Sequence, residues 1–298
     1  MNKLVCGVLT LILCLCCANA FALDPSDIPE VRWEFSVSLT EIQSKYALLV
    51  NGDNLLEDSF KPDPMVKVTG VKRATSAAVY LEQTAADALQ SMFSAASMVT
   101  EFTYTNEKGK EKVATYGDNG MVLYLKSGYR SYGTQATTYA NYLARNNNVD
   151  DGYVAKPGTS EHQTGLCADI LNATYAGRPT MTQDFKWTPE AQWMKQNCAE
   201  FGFILRFLED KEEETGIKFE PWHFRYVGKE IASYIMSKGI TLEAFTEEAK
   251  EAIEAFEANG GDVEEQLAFE AKRLNAPPES FVLEEYGEDG DAEISLLF

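Results

Sequence analysis

The sequence predicts an α+β fold, an antiparallel sheet with helices packed on it. Three observations carry the prediction: helical and strand-like patterns are mixed along the chain, the connections between them are short, and several strand-like stretches return on themselves as hairpins. A unit of about 200 residues is large enough to bury its own core.

The elements follow in order. Residues 24–66 read as irregular, with Pro25, Pro29, Pro62 and Pro64 and the turn-forming Asn51-Gly52-Asp53-Asn54. Ala78 to Met98 is predicted helical, since Leu81, Ala85, Leu89, Met92 and Phe93 recur at the spacing of one buried helix face. Phe102-Thr103-Tyr104 and Val113-Ala114-Thr115-Tyr116 alternate as the arms of a hairpin, with Asn106-Glu107-Lys108-Gly109 turning between them. Met121 to Leu125 is a predicted strand that delivers Ser127-Gly128-Tyr129-Arg130-Ser131 to its end. Thr134 to Arg145 is a predicted helix, ended by Asn146-Asn147-Asn148, and Leu166 to Leu171 is a short, mostly apolar strand. Thr188 caps a helix that has Pro189 in its first position, and Gly202 stops it. Phe203 to Phe207 is a further strand. Pro221 argues against a regular helix across Glu220 and His223, and Gly239 closes a helix that contains Ser233.

Beyond Phe245 two amphipathic helices are predicted, Thr246 to Ala258 and Asp262 to Asn275, the second opened by Asp262 with Glu265 as a capping box. Pro277-Pro278 follows, and residues 284–298 read as loose. The expectation for residues 246–298 is a solvated, acidic, helical tail; an interaction tail or a flap over the active site are the alternatives.

The start of the chain reads as an export signal. Lys3 precedes an apolar run from Leu4 to Cys17, and the small residues of Ala18-Asn19-Ala20 and Ala20-Phe21-Ala22 suit signal-peptidase cleavage. The run is shorter than the ~20 apolar residues of a membrane-spanning helix, so stable membrane insertion is not expected. The domain reading is therefore 1–22 signal peptide, 23–245 catalytic domain with an N-terminal extension, and 246–298 tail. A protein so placed is secreted, periplasmic or wall-associated.

Lys and Arg number 26 against 46 Asp and Glu, a formal net charge of −20. Phosphate backbones bind basic surfaces, so nucleic acid is excluded as a partner. Cys6, Cys14, Cys16 and Cys17 leave with the signal, and Cys167 and Cys198 remain. Two thiols in an oxidising compartment invite a disulfide, with a pair of free buried cysteines as the alternative.

The chemistry concentrates around the two histidines of the chain. One lies in Ser160-Glu161-His162-Gln163-Thr164-Gly165-Leu166-Cys167-Ala168-Asp169, the other in Glu220-Pro221-Trp222-His223. Hydrolytic zinc takes three protein ligands and keeps one position for water, which makes His162, Asp169 and His223 a candidate triad and leaves Glu220 as a carboxylate free to move a proton.

Four separated motifs resemble the zinc D-alanyl-D-alanine carboxypeptidases. They are Ser127-Gly128-Tyr129-Arg130-Ser131-Tyr132 with Gln135, the run from Ser160 through His162 and Gly165 to Asp169, Gly202-Phe203-Ile204-Leu205-Arg206, and Glu220-Pro221-Trp222-His223-Phe224-Arg225-Tyr226-Val227-Gly228. This family includes enzymes of vancomycin resistance and shares its metal-site fold with lysostaphin-type peptidases and the hedgehog domain. The resemblance implies one zinc ion per chain on His162, Asp169 and His223, Glu220 as general base, Arg130 over the scissile amide, and Gln135 and Ser160 holding substrate. It implies a peptidase acting on peptidoglycan stem peptides that end in D-Ala-D-Ala. A related endopeptidase, a D,D-dipeptidase and a non-catalytic zinc module are the alternatives. The family commonly has Ala where Cys167 and Cys198 stand, which strengthens the expectation of a Cys167–Cys198 disulfide. The stretch Glu101 to Gly120 is longer than the family requires and is expected to border the cleft.

Overall fold

A computed structural model describes residues 28–275, 282–286 and 292–296. The expected export signal, with its four cysteines, lies outside them. The described chain opens with α1 (Leu39–Ile42), followed by a 3-10 turn over Lys45–Ala47, and most of the rest up to β1 (Met65–Lys67) is irregular. β1 pairs antiparallel with β2 (Tyr80–Glu82). The helix predicted from Ala78 therefore begins later, as α2 (Gln83–Ala96), because the Glu82 carboxylate accepts the N–H groups of Thr84 and Ala85 at 2.8 and 3.1 Å and sets the helix start there. β3 (Glu101–Thr105) and β4 (Glu111–Thr115) form the predicted hairpin, with Phe102 opposite Ala114. Asn106 makes its turn, accepting from the N–H groups of Lys108 and Lys110.

The central sheet has four antiparallel strands in the order β5-β6-β8-β7: β5 (Tyr124–Ser127), β6 (Cys167–Leu171), β7 (Phe203–Leu205) and β8 (His223–Tyr226). Connecting them are α3 (Tyr132–Arg145), α4 (Ala173–Ala176), α5 (Pro189–Asn197) and α6 (Glu212–Thr215). Thr188 caps α5 as predicted, accepting from Ala191 N–H at 3.2 Å. Gly202 ends the following 3-10 turn in the left-handed region, at φ 79°, and a Cβ there would lie 2.7 Å from the Tyr226 ring.

The register assigns side chains to the two faces. Asp169 stands opposite His223 and Cys167 opposite Arg225, while Ala168 stands opposite Phe224. Alternation puts Cys167, Asp169, His223 and Arg225 on one face and Ala168, Ile170 and Phe224 on the other. That second face joins the main core with Leu81, Leu89 and Met92 from the α2 side and Trp193, Met194 and Cys198 from the α5 side. The expected disulfide is thus not formed. Cys167 and Cys198 are both free and buried, because one faces the histidines and the other packs in the core beneath the sheet.

A second core lies around α7 (Lys229–Lys238) and α8 (Leu242–Ala258). Leu242, Phe245 and Ala249 of α8 are buried there with Ile231, Ile235, Val37 and Ile204. The residues expected as a solvated tail are in this respect packed: acidic side chains line the outer face of α8 and its apolar stripe docks on the domain. α9 (Val263–Asn275) is fastened through Glu270, which accepts the N–H groups of Leu39 and Thr40 at 3.1 and 2.8 Å and so satisfies the first turn of α1. Residues 284–298, read as loose, include a hairpin: β9 (Val282–Tyr286) pairs antiparallel with β10 (Ala292–Leu296), and the period-2 alternation of Ala292-Glu293-Ile294-Ser295-Leu296 suits a strand.

Candidate metal centre and active site

His162 lies in a 3-10 turn, Glu161–Thr164, that Gly165 closes in the left-handed region at φ 69°. Its Nδ1 is 2.6 Å from the carbonyl oxygen of Gly128. A carbonyl only accepts, so Nδ1 carries the proton and Nε2 presents its lone pair to the site. Gly128 itself packs tightly on β2, where a Cβ would meet the Tyr80 carbonyl oxygen at 2.6 Å. The Nε2 atom of His162 is 3.5 Å from Oδ2 of Asp169.

His223 enters from the other side. Its N–H donates to the Glu220 carbonyl at 3.1 Å, closing a tight turn with Pro221 in the second position. This turn, and not a helix, brings Glu220 Oε2 to 3.5 Å from His223 Nδ1. The same nitrogen is 3.2 Å from Asp169 Oδ1, so the aspartate bridges the two imidazoles, whose ring centroids are 5.0 Å apart at 90°. Donor atoms of Asp169, Glu220 and His223 lie within 4.8 Å of one another, and so do those of His162, Cys167 and His223. His223 belongs to both groups. Cys167, read from the sequence as half of a disulfide, stands beside the two histidines.

Burial dominates the electrostatics. It pushes the Glu220 carboxyl up to about 8, with nearby Asp169 adding to the effect and His223 opposing it. Burial and the neighbouring Arg130 lower His162 to about 3, which keeps it neutral. Burial opposes charge on His223 as well, but Cys167, Asp169 and Glu161 around it raise its pKa well above the ordinary histidine value. Cys167, Asp169 and Glu161 thus favour a positive charge at His223.

Arg130 follows the end of β5, its N–H donating to the His162 carbonyl at 3.0 Å. Its guanidinium donates to Gln135 Oε1 at 2.6 Å, and Gln135 Nε2 donates in turn to the Ala155 carbonyl at 2.6 Å. Gln135, 1% exposed, therefore braces Arg130. Ser160 is buried at the head of the His162 turn and makes no side-chain cap bond to it.

Sequence reasoning gave no role to the residues beneath the centre. Glu161 Oε1 accepts from Arg206 Nε at 2.8 Å and from an Arg225 terminal nitrogen at 2.7 Å, and all three side chains are buried. Both arginines stand inside the quoted motifs, Arg225 on β8 and Arg206 directly after β7, and no local signal in the sequence marks their burial. Burial works against the charge on Glu161, and the two guanidinium groups overcome it, holding the carboxyl well below the usual range.

Comparison with known proteins places this geometry. The family model VanY, D-alanyl-D-alanine carboxypeptidase, matches residues 102–229. YodJ of Bacillus subtilis, named as a carboxypeptidase, is 33% identical over 236 residues, 78% of each chain. Among solved structures, the LdcB LD-carboxypeptidase, whose description concerns peptidoglycan recognition, superposes with a TM-score of 0.56 at 29% identity, covering 76% of this chain and 97% of that one. VanYB in complex with D-alanine-D-alanine does so with a TM-score of 0.51 at 26% identity, covering 68% and 97%.

Proposed function

From the premise that the chain belongs to the VanY family of D-alanyl-D-alanine carboxypeptidases, we propose that it removes the terminal D-alanine of peptidoglycan stem peptides, with one zinc ion held by His162, Asp169 and His223. The observation that carries the reading is the buried meeting of His162 Nε2, the Asp169 carboxylate and His223 Nδ1 beside Glu220. Nitrogen and oxygen donors in this number suit a hydrolytic zinc site with one open position. The groups that favour a positive charge at His223 suit a dication beside it.

When bound, zinc lowers the pKa of a coordinated water from 15.7 to about 7 and polarises the scissile carbonyl. The protein supplies the rest. Glu220, whose carboxyl is poised near neutrality, takes the proton of the attacking water and returns it to the departing amine. Arg130 presents a permanent positive charge and a planar fork, braced by Gln135, to the developing oxyanion or to the terminal carboxylate of the substrate. Gln135 acts through Arg130, and Ser160, at the head of the His162 turn, holds substrate.

Export fits a substrate outside the cell. Among the described residues no helix is long and apolar enough to cross a membrane, and the leader at residues 1–22 remains part of the proposal.

A second reading follows from the likeness to the LdcB LD-carboxypeptidase, namely cleavage of a terminal D-alanine from an L-residue. Mass spectrometry of defined stem peptides separates the two. The expected result is loss of one alanine from a peptide ending in D-Ala-D-Ala and little change in one ending in an L-residue followed by D-Ala. Preference for the second peptide would overturn the reading, as would release of the dipeptide.

A further inference from the structure

Glu161 Oε2 and His223 Nε2 are both buried, both without a hydrogen-bond partner, and 3.5 Å apart. If Nδ1 of His223 is a metal ligand, as the proposed function requires, Nε2 must carry the ring proton, and Glu161 is the acceptor in front of it. A carboxylate in that position fixes the tautomer and orientation of a ligating imidazole.

Glu161 is held by two arginines that are themselves anchored from outside the family-matched residues. Arg206 donates from Nε to Glu161 and turns its two terminal nitrogens to Glu243 of α8, at 2.7 and 2.6 Å, a two-pronged pair. Asn51 donates to Glu243 at 3.2 Å. Arg225, the second donor to Glu161, is anchored by the carbonyls of Tyr46 and Leu48 at 3.1 and 2.6 Å. Two carboxylates and two guanidinium groups therefore balance in charge beneath the metal site. Without Glu243 the buried set carries one excess positive charge a few ångströms from the place of a dication, and Arg206 loses the fork that aims its Nε at Glu161.

We propose that Glu243 is a positioning residue for the metal centre, acting through Arg206 and Glu161 on the imidazole of His223. Helix α8 is by this inference a working part of the peptidase. The inference rests on the metal reading above, so its test measures metal binding and not peptide cleavage.

The test uses the full chain and three variants, Glu243→Gln, Glu243→Asp and Phe245→Leu. Phe245 is 1% exposed in the α8 core and makes none of the network's contacts, so its variant reports loosening of the helix alone. Zinc dissociation constants come from chelator competition, and the visible spectrum of the cobalt(II) form reports ligand geometry. Glu243→Gln is expected to weaken zinc binding about tenfold, the low end of what outer partners of metal ligands contribute, and to shift the cobalt bands. Glu243→Asp, which keeps the charge and withdraws the carboxylate, should do the same more weakly, and it serves if the Gln variant does not fold. Phe245→Leu should melt earlier with zinc affinity unchanged. Unaltered zinc affinity and cobalt spectrum in a folded Glu243 variant would overturn the inference, as would an equal loss in Phe245→Leu. Failure of the unmodified chain to bind either metal would overturn the metal reading, and this inference with it.

Discussion

Asp169 and His223 face each other across the β6–β8 pair, with 3.2 Å between Oδ1 and Nδ1. The pairing of Cys167 with Arg225 and Ala168 with Phe224 locks this register, because a slip of one residue would turn His223 into the core. The candidate metal site is therefore as well specified as the sheet itself.

A further ligand beside His223 can come from Asp169, which groups with it and Glu220, or from Cys167, which groups with it and His162. With zinc on Asp169, Asp169→Ala should reduce zinc affinity by more than the roughly 10- to 100-fold that outer partners contribute, and Cys167→Ala should change it little. The cobalt(II) form should then lack the near-ultraviolet charge-transfer band of a bound thiolate. Such a band, lost in Cys167→Ala, would move the ligand to Cys167.

Glu220→Gln should keep zinc and lose activity by about 10²- to 10⁴-fold, the usual contribution of a positioned general base. Steady-state rates with D-Ala-D-Ala-ending peptide, alongside metal analysis of the same sample, check this. A fall in rate matched by loss of zinc would instead make Glu220 a ligand.

Metal-free protein should show a stability signature of the same residue. The folded-state pKa of Glu220 is raised from 4.5 to about 8, so between those values the folded chain binds more protons than the unfolded one and stability falls as pH rises through the window. His162 acts in the opposite sense: its pKa is lowered from 6.5 to about 3, and stability falls as pH drops through that range. In chelator-treated protein, Glu220→Gln should raise the melting temperature by several degrees at about pH 8, and the gain should shrink towards about pH 5. Melting curves showing a gain that is constant with pH would contradict the assignment.

Arg130→Lys keeps the charge and loses the fork that Gln135 braces. Its kcat/KM should fall by about 10²- to 10³-fold, in line with removal of one stabilising donor. Gln135→Ala should produce a smaller loss through the same guanidinium. Retained activity in Arg130→Lys would reduce the role of the arginine to charge alone.

The thiols offer a chemical check of the fold. In protein that begins at residue 23, alkylation without reductant should label neither Cys167 nor Cys198 quickly under native conditions and both in denaturant, as intact mass will report. Protein unlabelled in denaturant, and labelled twice after reduction, would restore the disulfide.

Much of this protein is legible in its sequence because the signals are local. Thr188 and Pro189 announce α5, Gly202 and Gly239 end elements in the left-handed region, and Pro221 keeps Glu220 and His223 out of a helix. The α+β class and the antiparallel sheet follow from such patterns, and the rarity of histidine points to the candidate ligands. α2 starts later than predicted because Leu81, four residues before Ala85, suits a helix face as well as a strand, and tertiary pairing with β1 selects the strand.

Other features have no local signature. Whether Cys167 meets Cys198 or His223 depends on which face of β6 it occupies, and only the neighbouring strands decide that. Glu161 meets Arg206, Arg225 and Glu243 through contacts spanning 45, 64 and, from Arg206 to Glu243, 37 residues of sequence. Burial of opposite charges at such separations follows no periodicity and no motif length. The sequence by itself determined the donor chemistry and the local geometry of each element, since these depend on neighbours along the chain. Tertiary structure decided which donors converge, which thiol stands beside the candidate ligands and how α8 is tied to them, since those depend on neighbours in space.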